Sequence, residues 1–156
     1  QGTTFKIYLP LLASEGELKK PKNIVPSDEE SWRGTETVLV AEDDEALRKL
    51  AKTTLEYFGY TIIEAVDGED AVRKFRENKE GILLVLCDVI MPGKSGREVG
   101  EEIRKISREV RIVFMSGYPA DIIHQKSLLE EGVEIILKPI PPTVLLKKVR
   151  EALDKK

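Results

Sequence analysis

The stretch Leu83-Leu84-Val85-Leu86-Cys87-Asp88-Val89-Ile90-Met91-Pro92 constrains this chain more than any other. A short apolar run with β-branched members, cut off by polar residues and a proline, predicts a buried strand. Asp88 stands at its end, and a carboxylate there is costly to desolvate unless a charged partner meets it. Three other runs end in a similar way. Val38-Leu39-Val40-Ala41 leads into Glu42-Asp43-Asp44, Arg111-Ile112-Val113-Phe114-Met115 into Ser116-Gly117, and Glu134-Ile135-Ile136-Leu137 into Lys138-Pro139. In open parallel sheets the ligand crevice lies beyond the carboxyl ends of the strands. The sequence therefore points acids, a hydroxyl and an ammonium at one crevice.

Helical spacing fills the intervals. Leu47, Leu50, Ala51, Leu55 and Phe58 predict a helix from Glu45 to Phe58, terminated by Gly59. Thr61 to Ala65 is a strand, and Asp67 can cap a helix to about Asn78 with Ala71, Val72 and Phe75 inward. Ser95-Gly96 opens a helix carrying Val99, Ile103 and Ile106; a weaker one is expected over 121–131, with Ile122, Ile123, Leu128 and Leu129. Pro142 starts a last helix with Leu145, Val149, Ala152 and Leu153 as its buried stripe, since proline suits a first turn. Five βα units predict an α/β fold, a doubly wound parallel sheet with helices on both faces and right-handed crossovers.

With 156 residues the chain has room for one well-buried domain and a tail. Residues 2–10 alternate like a strand stopped by Pro10, and 13–34 have linker composition, expected to be poorly ordered. Trp32 reads equally as docked on the domain or as solvent-exposed. The compact domain is expected from about Thr35 to the end. A net charge of −3 suggests no nucleic-acid surface. The single cysteine, Cys87, excludes an internal disulfide, and its place in an apolar run makes it a small buried hydrophobe rather than a reactive thiol. Neither a membrane span nor a signal peptide is read, and the start at Gln1 without Met suggests an excised fragment. A cytoplasmic setting is the expectation.

From about Thr37 to Leu153 the chain resembles the receiver domain of two-component response regulators. The resemblance rests on Glu42-Asp43, on Asp88 with Met91-Pro92-Gly93 and Gly96, on Ser116-Gly117 and on Lys138-Pro139. Each motif is short; their joint order, each at the end of a different strand, is specific. The resemblance implies the flavodoxin-like strand order 2-1-3-4-5, which sets strands one and three side by side at the switch point. It also implies a cis Lys138-Pro139 peptide.

Such a site suits phosphoryl transfer to a carboxylate, with Asp88 as the nucleophile forming an acyl phosphate. Glu42 and Asp43 add negative charge beside it, a conflict that a divalent cation resolves. All-oxygen ligands favour Mg²⁺. The resemblance implies that Asp43 and Asp88 bind the metal directly, that Glu42 acts largely through water, and that the Ile90 carbonyl contributes. Lys138 would pair with the phosphoryl group, Ser116 would donate to one of its oxygens, and Gly117 would leave room for a donor. Read alone, Glu42, Asp43 and Asp44 would simply cap the helix that follows, and Asp44 keeps that reading. His124, the only histidine, is read as a surface residue.

The resemblance also carries departures. The switch position on the fifth strand, usually aromatic, is Ile135, so an aromatic rotamer flip coupled to Ser116 cannot occur there. Lys94 stands where an apolar residue is common; a solvated loop lysine is the expectation. Residues 1–12 resemble the end of a histidine-kinase ATP-binding domain, which implies a hybrid kinase as parent, with 13–34 as linker and 35–156 as receiver. The fragment is not expected to be a kinase by itself, nor to carry a DNA-binding output after Lys156. Its expected partners are the phosphohistidine domain of a histidine kinase and a histidine phosphotransfer protein, with no membrane contact by this fragment. Two rival readings are an aspartate-nucleophile phosphatase, disfavoured because the second acid it needs falls at Ile90, and a degenerate interaction module, disfavoured by the intact set of site residues.

Overall fold

The computed structural model describes residues 29–117 and 134–155. A 3-10 helix (Glu29–Trp32) is followed by β1 (Thr37–Ala41), α1 (Glu45–Tyr57), β2 (Thr61–Ala65), α2 (Gly68–Asn78), β3 (Ile82–Asp88), α3 (Gly96–Ile106), β4 (Arg111–Ser116), β5 (Glu134–Leu137) and α4 (Pro142–Asp154). All strand pairs are parallel, in the order β2-β1-β3-β4-β5. The expected doubly wound α/β sheet is therefore present, with β1 beside β3. The strand expected over 2–10, the linker up to residue 28 and the helix expected over 121–131, with His124, lie outside the described residues.

Alternation along the strands divides the core into two layers. Val38 and Val40 of β1, Leu84 and Leu86 of β3, and Val113 and Met115 of β4 pack on Ala51 and Leu55 of α1 and on Leu145, Leu146 and Val149 of α4. Leu39, Ala41, Val85, Cys87, Ile112 and Phe114 face the opposite way, onto Ala71, Val72 and Phe75 of α2 and Val99 and Ile103 of α3. Both faces of the central strands are covered, which is why they read as unbroken apolar runs. Each large side chain buried this way contributes about 1.5–3 kcal/mol. Leu83 departs from the pattern. The β1–β3 register shifts between Thr37/Val38, so that Thr37 pairs with Ile82 and Val38 with Leu84. Leu83 is left out of the pairing and is 50% exposed.

The helix starts are set by short polar side chains. Asp44 accepts from Leu47 N at 2.9 Å and Asp67 from Asp70 N at 2.8 Å, and Ser95 forms a capping box with Glu98. Gly59, at φ 98°, ends α1 in the left-handed conformation. One inward stripe differs from expectation. Leu47 and Leu50 are 44% and 52% exposed, and the buried face of α1 is Arg48, Ala51 and Leu55.

Upstream of β1 the chain is fastened to the domain. The Trp32 ring lies 6.5 Å from that of Phe58, Tyr60 Oη donates to the Trp32 carbonyl at 2.8 Å, and Gly34 N donates to the Phe58 carbonyl at 3.1 Å. Of the two readings open for Trp32, the structure takes the docked one, so the last residues of the expected linker lie against the receiver.

Candidate functional site

Parallel pairing of β1 and β3 places Ala41 opposite Cys87. The next residues are then brought together: Glu42 and Asp43 after β1, and Asp88 at the end of β3. Carboxylate oxygens of these three acids lie within 4.8 Å of one another, with Glu42 and Asp88 buried and Asp43 exposed. Lys138, one residue past β5, reaches into the same notch. Its Nζ is 2.7 Å from Asp88 Oδ2 and 2.5 Å from Glu42 Oε2. Lys138 N donates to the Ser116 carbonyl at 2.7 Å, tying the ends of β4 and β5 together, and the Lys138-Pro139 peptide is cis. Ser116 is 1% exposed at the end of β4, next to Met115, which pairs with Asp88.

The loop after β3 is held close to the carboxylate. Ile90 N donates to Asp88 Oδ1 at 3.2 Å, and Gly96 N donates to the Val89 carbonyl at 3.0 Å. A Cβ on Gly96 would fall 2.1 Å from the Asp88 carbonyl oxygen, so only glycine lets α3 begin this near to Asp88. For Ile90, the structure thus places the amide on Asp88. Lys94, further along this loop, pairs with Glu102 of α3. The expected solvated loop lysine is instead a partly buried, paired one.

Burial is the main influence on the Glu42 carboxyl and raises its pKa; the Asp88 charge acts the same way, and Lys138 opposes both. For Lys138, burial pulls the pKa down, but the hydrogen bonds and charges of Asp88 and Glu42 outweigh it and the net direction is up. The ammonium is thereby kept charged between two buried carboxylates. Cys87, beside Asp88 in sequence, faces the α2–α3 layer, where burial pushes its thiol far upward and away from thiolate chemistry. The donors available to a cation are carboxylate oxygens, a hard set that suits Mg²⁺ or Ca²⁺ rather than a softer metal.

The sequence reading missed Arg48. It sits on the buried stripe of α1, and its Nη1 donates to the carbonyls of Glu42 at 2.7 Å and Asp43 at 3.3 Å. The available signal was its spacing: Arg48, Ala51 and Leu55 share one helical face, and a charge there needs a partner. Leu47 and Leu50 instead line a cavity of about 360 Å³ between α1 and α4 that also touches Glu42 and Lys138.

A doubly wound sheet whose switch point holds three acids and a bridging lysine defines an α/β domain that handles its ligand at the strand ends. The family model of the response regulator receiver domain matches residues 38–150, and the chain belongs to that family. It is a receiver domain of two-component signalling. Over 161 aligned residues it is 32% identical to the sensor kinase CckA of Brucella abortus (strain 2308), covering 99% of this chain and 17% of that kinase. The chain spans half or less of the other curated relatives set beside it. Among solved structures it is similar to the receiver domain from hybrid histidine kinase CckA, with 32% identity, TM-score 0.65 and coverage of 76% of this chain and 99% of that one. It is also similar to the response regulator TrrA from Thermotoga maritima in complex with Mg²⁺-BeF, with 33% identity, TM-score 0.67 and coverage of 76% and 99%. Among the described residues no helix is long and apolar enough to cross a membrane.

Proposed function

We propose that the domain accepts a phosphoryl group from phosphohistidine onto Asp88 with Mg²⁺ bound. The observation that carries this reading is the acidic cluster of Glu42, Asp43 and Asp88 with the Lys138 ammonium 2.7 Å from Asp88 Oδ2. Asp43 and Asp88 would hold the metal, with Glu42 acting through water and the Ile90 carbonyl completing the set. Bound there, Mg²⁺ supplies positive charge to the transferring phosphoryl oxygens. An Asp88 carboxylate oxygen attacks phosphorus, the phosphorus–nitrogen bond to the donor imidazole breaks, and an acyl phosphate remains on Asp88. The Ile90 amide orients the carboxylate, Lys138 pairs with the new phosphoryl oxygens, and Ser116 donates a hydrogen bond to them.

The donor and the place of this domain follow from the same reading. Residues 1–12 resemble the end of a kinase ATP-binding domain, 13–34 are a linker, and 35–156 are the receiver, a cytoplasmic part of a hybrid kinase. The alignment to a sensor kinase across 99% of this chain supports it. Phosphate would come from a kinase phosphohistidine and leave to a histidine phosphotransfer protein or to water. Acetyl phosphate with Mg²⁺, followed by intact mass, tests the chemistry. One added phosphoryl group that Asp88→Asn abolishes is the expected result. Steady turnover without an adduct would point to a phosphatase, and an adduct that persists in Asp88→Asn would remove Asp88 from its role.

A further inference from the structure

Among the described residues, four polar side chains are buried: Glu42, Asp88, Ser116 and Arg48. The first three belong to the phosphoryl site. Arg48 lies behind that site, at the backbone of Glu42 and Asp43, and burying a guanidinium is costly unless its donors and charge are matched. It is matched on two sides. Nη1 reaches the Glu42 carbonyl at 2.7 Å and the Asp43 carbonyl at 3.3 Å, while Nε lies 3.6 Å from Glu64 Oε2 on β2. Glu64 is itself held through its other oxygen by Lys52 Nζ at 2.5 Å.

The two carbonyls lie in the turn between β1 and α1, where neither a strand ladder nor a helix supplies regular partners. The neighbouring backbone is tied elsewhere: Glu42 N donates to the Ala65 carbonyl at 3.2 Å, and the Asp44 carbonyl accepts from Arg48 N at 2.9 Å. Arg48 thus fixes from behind the two peptide units that carry the two acids following β1. A planar fork of fixed donors can do this where a lysine, a single flexible point charge, cannot.

We propose that Arg48, buttressed by Glu64 and Lys52, is a positioning residue for the cation site, setting the turn so that Glu42 and Asp43 face Asp88. The proposal rests on the Mg²⁺ reading given above. Mg²⁺ demands near-ideal octahedral geometry, so a turn that relaxes by a few tenths of an ångström loses affinity even with every carboxylate still present. Charge and geometry make opposite forecasts. As a cation near the acids, Arg48 opposes a metal, so a purely electrostatic role makes Arg48→Gln tighter and leaves Arg48→Lys unchanged. Positioning makes both weaker, by about tenfold or more, the scale on which outer partners of metal ligands act.

The experiment titrates MgCl₂ alone into the full chain by calorimetry, for wild type, Arg48→Lys, Arg48→Gln and Glu64→Gln, with circular dichroism on each. Acetyl phosphate labelling is then followed against Mg²⁺ concentration. The expected result is weaker Mg²⁺ binding in both Arg48 variants, and a smaller loss in Glu64→Gln. Half-saturating Mg²⁺ for labelling moves up in parallel, while the rate at saturating Mg²⁺ returns toward wild type. Should Arg48→Gln fail to fold, Arg48→Lys and Glu64→Gln decide the matter. Unchanged affinity in the folded variants, or tighter binding in Arg48→Gln, overturns the proposal. Failure of the wild type to bind Mg²⁺ overturns instead the reading on which it rests.

Discussion

Lys138 spreads one positive charge over two buried carboxylates, bonding both Glu42 and Asp88. Removing one member of a buried charge cluster commonly costs about 3–5 kcal/mol, because the others are left buried and unpaired. Lys138→Met is therefore expected to melt well below wild type in EDTA. Added Mg²⁺ should restore much of that loss, giving the variant a larger Mg²⁺-induced rise in melting temperature than wild type. Thermal denaturation with and without Mg²⁺ checks this, and equal rises in both proteins would deny Lys138 its part as counter-ion. The convergence of Glu42, Asp43, Asp88 and Lys138 was legible in the sequence because parallel strands deliver whatever follows them to one rim. Arg48 was not legible, since Leu47 and Leu50 compete with it for the inward face of a helix whose spacing admits either choice. Tertiary packing chose the arginine because two turn carbonyls and Glu64 were waiting for it.

The elements themselves were mostly written in short-range signals. Asp44, Asp67 and Ser95 are the caps that the sequence suggested for the helices after them. What spacing could not give is register: Leu83 reads as part of the apolar run, yet the shift between Thr37/Val38 turns it out to solvent. Nor could composition show how the segment before β1 is held. There Glu36 bonds Arg150 of α4 at 2.8 Å, while the aromatic cluster of Trp32, Phe58 and Tyr60 packs close by. Burial alone would raise the Glu36 pKa, but the Arg150 hydrogen bond and charge, with the Thr35 amide, bring it below the ordinary glutamate value. A carboxyl lowered on folding stabilises the protein above its unfolded pKa, about 4.3, and loses that contribution as pH falls through its folded value. Glu36→Gln should therefore cost stability at pH 7, and its difference from wild type should shrink progressively below about pH 4. Urea denaturation at both pH values measures this. A difference that grew in acid would show that the pair is not what the carboxylate contributes.

On the scale of the whole molecule, the notch that holds Asp88 adjoins an apolar rim. Leu47 and Leu50 stand 44% and 52% exposed on α1, facing a cavity of about 360 Å³ whose far wall is Pro142 and Leu145 of α4. A small donor such as acetyl phosphate needs only the notch. The phosphohistidine donor proposed above is carried on a protein and would have to bring its imidazole to Asp88 along a surface, and this rim borders the notch at Glu42 and Lys138. Apolar side chains ringed by polar ones make good anchors, and losing one contributes on the order of 1–2 kcal/mol, or about tenfold in affinity. Leu50→Glu adds the cost of burying a charge under any apolar partner. The ratio of labelling by a phosphorylated histidine-kinase core to labelling by acetyl phosphate is then expected to fall about tenfold. Rapid-quench measurement of both reactions on the same protein supplies that ratio. If it holds at the wild-type value, a protein donor reaches Asp88 without resting on α1, and the exposure of these leucines has another cause.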